Sequence, residues 1–180
     1  VDLAATADRI GWTYSFHGER TASVEFQQDG RWLRMRPDGL LFLGSSSACA
    51  ERILFLELDT SMREVDNCAQ KIIQYERYFL SGIWKLQYRR FPTVLFILWA
   101  ASPGGLGPEA NKQRQQRADA RLRQVANFIT GWRRQGAKEV EFVLARWDVA
   151  GSGRASTVNG YGPGSLQSTD VFSTGPFYSS

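Results

Sequence analysis

Residues 91–101, FPTVLFILWAA, carry no charged side chain. A strand half-exposed to water alternates apolar and polar residues, so an unbroken apolar run reads as a central strand covered on both faces. Such strands are typically parallel to a neighbour, and parallel pairs need a long crossover. The preceding residues supply one. The stretch 52-RILFLELD-59 reads as a strand, and SMREVDNCAQKIIQYERYFLSG (61–82) then switches to helical period. Ser61 is the expected N-cap with Glu64 as its box partner, Gly82 closes the helix, and Val65, Ala69, Ile72, Tyr75 and Phe79 form its core stripe.

Upstream, DLAATADRIG (2–11) predicts a short helix with Leu3, Ala7 and Ile10 on one face, closed by Gly11 or Gly18. TASVEFQQ (21–28) and RWLRMR (31–36) alternate in polarity across Asp29-Gly30, a strong hairpin signal. With further strands at 38–44 and 52–59, the sheet is expected to begin as an antiparallel meander. Downstream, the Pro-Gly run 102–109 precedes a basic amphipathic helix from about Glu109 to Trp132 and a last strand at 140–148. The tail from Gly151 to Ser180 is Gly/Ser-rich and reads as an irregular wrap, an edge hairpin or a flexible end. The expected fold class is α/β, a mixed sheet with helices packed on it.

A length of 180 residues is enough for one domain with its own core. Cys49 and Cys68 are too far apart for a zinc knuckle and His17 is the only histidine, which argues against a zinc ribbon or histidine-based metal site. Both cysteines read as buried small hydrophobes in a reducing compartment. No run approaches the roughly 20 apolar residues of a membrane span, and residues 1–20 lack a signal-peptide pattern. A soluble, cytoplasmic protein with no membrane association is expected.

The net charge of +4 is modest, but basic residues cluster: Arg31, Arg34 and Arg36; Arg89 and Arg90; Lys112 to Arg123; and Arg133, Arg134 and Lys138. Basic patches around acids set in strands suit a polyanion held near a metal. Arg114, Arg117 and Arg121 recur at helical spacing, as a phosphate-tracking stripe would, and Arg36 stands beside the candidate site. GSGRASTVNGYGPG lacks the P-loop pattern and joins no strand to a helix.

The chemistry gathers at two places, RPDGLLFL (36–43) and FLELD (55–59). If strands 38–44 and 52–59 pair antiparallel, Asp38 at the start of one meets Glu57 near the end of the other. Two convergent carboxylates with a main-chain carbonyl make the oxygen-only site that Mg²⁺ or Mn²⁺ prefers. Glu57 and Asp59 alternate with Leu58 and so share one strand face. Pro-Asp alone is usually a turn, and Glu19, a further carboxylate candidate, reads as merely exposed.

Pro37-Asp38 followed by Glu57-Leu58-Asp59 resembles the motif of the PD-(D/E)XK nuclease superfamily: Pro-Asp, a gap, then Asp or Glu, any residue, and Lys. Asp59 stands at the lysine position. On the following helix Lys71 projects with Glu64, Gln74 and Tyr78 from one flank, so it is placed to supply the displaced cation, as lysines on that helix do in parts of the superfamily. RPDGLLFL, FLELDTSM, KIIQYERYFLSG and FPTVLFIL, in that order, make residues 1–130 similar to the replication-relaxation protein family. The resemblance implies a restriction-endonuclease-like αβββαβ core with an additional helix and strand, covering 1–150, followed by an irregular extension at 151–180. It implies a Mg²⁺-dependent (or Mn²⁺-dependent) deoxyribonuclease serving plasmid or mobile-element DNA, alongside replication or mobile-element protein partners. Asp38 and Glu57 would hold metal, Asp59 would take a second ion or orient water, and Gln74 would position Lys71 or the phosphate. The family's winged helix does not precede Val1 here, which fits the nuclease-like part of a longer protein or complex.

Two other function classes stay open. One is a nuclease fold without activity that binds DNA or supports assembly. The other is a structural protein-interaction domain. A two-fold homodimer would let one site type cut both strands of a duplex.

Overall fold

The computed structural model describes residues 12–45, 51–59, 65–99, 108–134, 140–147, 155–159 and 167–170. The helix expected over 2–11, the Ser61–Glu64 cap, Cys49 and most of the 102–109 loop lie outside these residues. In chain order the elements are β1 (Trp12–Gly18), the single-turn α1 (Glu19–Ala22), β2 (Val24–Gln28), β3 (Arg31–Met35), β4 (Gly39–Ser45), β5 (Glu51–Asp59), α2 (Val65–Ser81), a 3₁₀ turn (Ile83–Leu86), β6 (Thr93–Trp99), α3 (Pro108–Arg134), β7 (Phe142–Trp147), β8 (Ala155–Asn159) and β9 (Gln167–Asp170).

Seven strands form one sheet in the order β1-β4-β5-β6-β7-β8-β9. β5, β6 and β7 run parallel and the other neighbours are antiparallel, so the sheet is mixed. The crossover predicted from the apolar run is present: α2 carries the chain from β5 to β6, and α3 carries it from β6 to β7. β6 is apolar along its length because it is covered twice. Val94, Phe96 and Leu98 join the core under the helices, while Leu95 joins Leu41, Leu54, Leu56 and Val143 on the opposite face.

The expected meander is corrected at its start. Among the described residues β2 and β3 pair only with each other, as a separate two-stranded ribbon, and β1 takes the place beside β4. The ribbon is amphipathic. Phe26 and Met35 are buried on its inner side, and Phe26 packs on Tyr78 of α2 with ring centroids 5.3 Å apart. Docking that face on a helix serves the same burial that a place in the sheet would have served. Pro37, which has no N–H to donate to a ladder, lies buried between the ribbon and β4. The ribbon's turn is as expected, with Asp29 at φ 49° and Gly30 at φ 73°, the left-handed pair that a two-residue hairpin needs.

The principal core is an aromatic cluster centred on Phe55 of β5, with the rings of Tyr75, Tyr78, Tyr88 and Phe91 between 5.5 and 6.3 Å away. Tyr78, expected as an aromatic at the core's edge on the flank it shares with Lys71, is drawn fully into this core, where it is 0 % exposed. α2 ends at Ser81, and Gly82 takes the left-handed conformation (φ 71°) before the 3₁₀ turn. α3 presents Ala118, Leu122, Val125 and Ile129 to the core at helical spacing.

Candidate functional site

The site is assembled by the β4–β5 register and by one face of α2. Gly39 pairs with Leu56, so Asp38, one residue ahead of β4, stands opposite Glu57. Asp38 Oδ2 accepts the Leu58 N–H at 2.7 Å, which anchors the carboxylate across the two strands. The sheet thus brings together the two acids that lie nineteen positions apart in sequence.

Glu57 is 2 % exposed. Its carboxylate is held from α2 at both oxygens: Lys71 Nζ donates to Oε2, and the Tyr75 hydroxyl donates to Oε1 at 2.6 Å. Lys71 and Tyr75 are four residues apart and so lie on one helix face. The ammonium of Lys71 also reaches Asp38 Oδ2 at 3.5 Å and bridges the two acids.

Burial pushes the Glu57 carboxyl up from 4.5 to about 7, against the opposing pull of the Lys71 ammonium and the Tyr75 hydrogen bond. For Lys71, burial alone would favour the neutral amine, but the Glu57 and Asp38 carboxylates outweigh it and leave the group above its ordinary value. Burial and the facing carboxylate push the Tyr75 phenol well up, so it remains a donor. The result is a partly desolvated centre in which one acid is poised to bind or release a proton near neutrality.

Asp59 belongs to a neighbouring cluster. It shares the strand face of Glu57, and Leu58 between them points the other way, 46 % exposed. Its Oδ2 lies 3.4 Å from Arg121 Nε and accepts from Cys68 Sγ at 3.9 Å, while Arg121 Nη2 lies 3.7 Å from the same sulfur. Burial pushes the Cys68 thiol up, so it stays protonated. Cys68 is one turn before Lys71 on α2, and the helix therefore serves both acids from one flank.

The remaining predicted residues are spread out. Gln74 is at an exposed position of α2, and Arg36 is exposed directly before Pro37. Arg114, Arg117 and Arg121 do not form one exposed stripe: Arg117 is exposed, Arg114 is partly covered, and Arg121 is 9 % exposed against Asp59. Its position between Ala118 and Leu122, inside the buried stripe, is the sequence signal that it faces inward. Tyr75 is legible in the sequence only as a core residue, and nothing in its spacing shows that its hydroxyl meets an acid.

Among the described residues no three His, Cys, Asp or Glu side chains gather as one ligand set. Asp38 and Glu57 supply two carboxylates, the number with which Mg²⁺ is commonly held alongside water and substrate phosphate, but both Glu57 oxygens are occupied and an ion at this pair would have to displace the Lys71 ammonium. Compared with known proteins, the chain matches no family model, no curated protein and no solved structure.

Proposed function

We propose that the chain is a metal-dependent DNA nuclease domain that hydrolyses phosphodiester bonds at the Asp38–Glu57 pair. The observation that carries this reading is the convergence of those two acids across β4 and β5, with the Lys71 ammonium between them. Asp38 and Glu57 would hold Mg²⁺ or Mn²⁺, and the ion would supply Lewis acidity toward phosphate and a nucleophilic water near neutral pH. Lys71 supplies positive charge beside both acids, Tyr75 orients Glu57, and Asp59 holds the Arg121 guanidinium at the margin of the site. The succession β4, β5, α2, β6 supports a PD-(D/E)XK-type core, with the cation carried on the helix where Asp59 takes its strand position. By the same resemblance the substrate is plasmid or mobile-element DNA.

A second reading, a nuclease fold without activity that binds DNA, is favoured by one feature. Each acid of the cluster already has a cationic partner, Lys71 for Asp38 and Glu57 and Arg121 for Asp59, as a purely structural ion-pair cluster would.

Cleavage of supercoiled, linear, branched and single-stranded DNA with Mg²⁺ or Mn²⁺, beside calorimetric metal titration, separates the two. Asp38→Asn and Glu57→Gln are each expected to abolish cutting and weaken metal binding. Cleavage that survives loss of both carboxylates overturns the assignment. DNA binding without cutting by wild type, in any metal, selects the second reading.

A further inference from the structure

The β2–β3 ribbon has one face committed to the core and one face turned to solvent, and the solvent face has an unusual make-up. Trp32 is 74 % exposed, although an indole offers one of the largest apolar surfaces a side chain can bury. Arg31, Arg34 and Arg36 are exposed around it. Residues 32 and 34 share the outward parity of the strand, about 7 Å apart, and Arg36 is exposed just past the strand's end. The acid on this face is Glu25, whose Oε1 lies 3.8 Å from Arg34 Nε, and Asp29 sits in the turn. The chain then runs from Arg36 through Pro37 directly into Asp38.

We propose that this outer face grips an unpaired stretch of DNA, with Trp32 stacking on a base and Arg34 and Arg36 meeting the phosphates that lead toward the Asp38–Glu57 pair. The inference rests on the nucleic-acid reading of the site and extends it to a specific surface. An exposed aromatic flanked by guanidinium groups is the combination that binds single strands without sequence preference: every base has a face to stack on, and every linkage has a charge. The ribbon's edges pair with no other strand among the described residues and its outer face is separate from the buried one, so a DNA strand can follow that face without disturbing the core.

The test is the affinity of the full chain for a fluorescently labelled single-stranded oligonucleotide and for its duplex, measured across a salt series without divalent metal, so that cutting plays no part. Trp32→Ala is expected to weaken single-strand binding roughly 5- to 100-fold, Trp32→Phe to recover most of it, and duplex binding to change less. Arg34→Ala is expected to lower the salt slope by about one unit, and Glu25→Gln to tighten binding. These positions are exposed, and unchanged circular dichroism and thermal melting would confirm that each variant is folded. Wild-type binding that Trp32→Ala and Arg34→Ala leave unchanged overturns the ribbon assignment alone. A wild type that binds neither form of DNA overturns the nucleic-acid reading and the ribbon with it.

Discussion

Replacing Glu76 by glutamine should stabilise this protein, by an amount that grows as the pH rises from about 4.5 to about 7 and then levels off. Glu76 is on α2 with 7 % of its surface exposed, and its Oε2 accepts a hydrogen bond from the Trp132 indole N–H of α3. A neutral donor compensates a buried carboxylate poorly, and burial pushes this group up from 4.5 to about 7. Because the folded value lies above the unfolded one, its contribution to stability is fully present below about pH 4.5 and is lost as the pH rises through about 7. At roughly 1.4 kcal/mol for each tenfold gain in proton affinity on folding, the loss by pH 8 approaches 3 kcal/mol as an upper bound, which relaxation and entering water reduce. Glutamine keeps an oxygen for the indole and cannot ionise. Urea unfolding of wild type and Glu76→Gln at about pH 4 and about pH 8 should therefore give near-equal stabilities at the lower pH and an advantage of about 1–3 kcal/mol for the variant at the higher. Parallel pH dependences for the two proteins, or a destabilised variant at pH 8, would refute the assignment of a strained ionised acid between α2 and α3.

Tyr75→Phe removes the hydroxyl that donates to Glu57 while leaving the ring packed on Phe55. The expected cost is roughly 1.5–3 kcal/mol at pH 8, shrinking as Glu57 protonates, and a double-mutant cycle with Glu57→Gln should recover most of it as coupling energy. Lys71→Met leaves the buried Glu57 carboxylate without its cation and should drive that group further above about 7. Breaking a buried pair typically costs about 3–5 kcal/mol, but the Lys71 side chain is 36 % exposed and screened, so about 1–2 kcal/mol is expected. That cost should be present between about pH 7 and the alkaline titration of Lys71 and should fade toward pH 5, as chemical denaturation at each pH will show.

How much of the fold and site is visible in the chain depends on whether the information is local. The β5–α2–β6 crossover is legible because a helical period lies between two apolar runs. Asp38 and Glu57 are legible as a pair because the start of one antiparallel strand lies beside the end of the next, although the register that sets them opposite, Gly39 against Leu56, is fixed only by the packed sheet. β1 escapes the sequence reading although WTYSFHG alternates cleanly, because Gly11 and Gly18 suit the end of a helix as well as the flanks of a strand. The ribbon's hairpin is legible, but alternation tells which face is buried and not what buries it. A helix and a sheet are equally acceptable covers for Phe26 and Met35. The partners of Tyr75 and Arg121 depend on how α2 and α3 cross the sheet, and no periodicity within either helix encodes that.

The acids of β5 tie both helices to the strand. Glu57 and Asp59 lie about 7 Å apart on one strand face, a separation at which two like charges repel by about 2 kcal/mol at an effective dielectric near 20. Each is compensated from a different helix: Lys71 reaches Glu57 from α2, and Arg121 reaches Asp59 from α3. Cys68 touches both Asp59 and Arg121, so the second pair forms only where α2 and α3 come together over β5. A lysine in the place of Asp59 would offset Glu57 from the same strand without help from α3. With an acid there, the second charge on the strand is balanced from the long basic helix, so the contact that neutralises Asp59 is also one that holds α3 against α2.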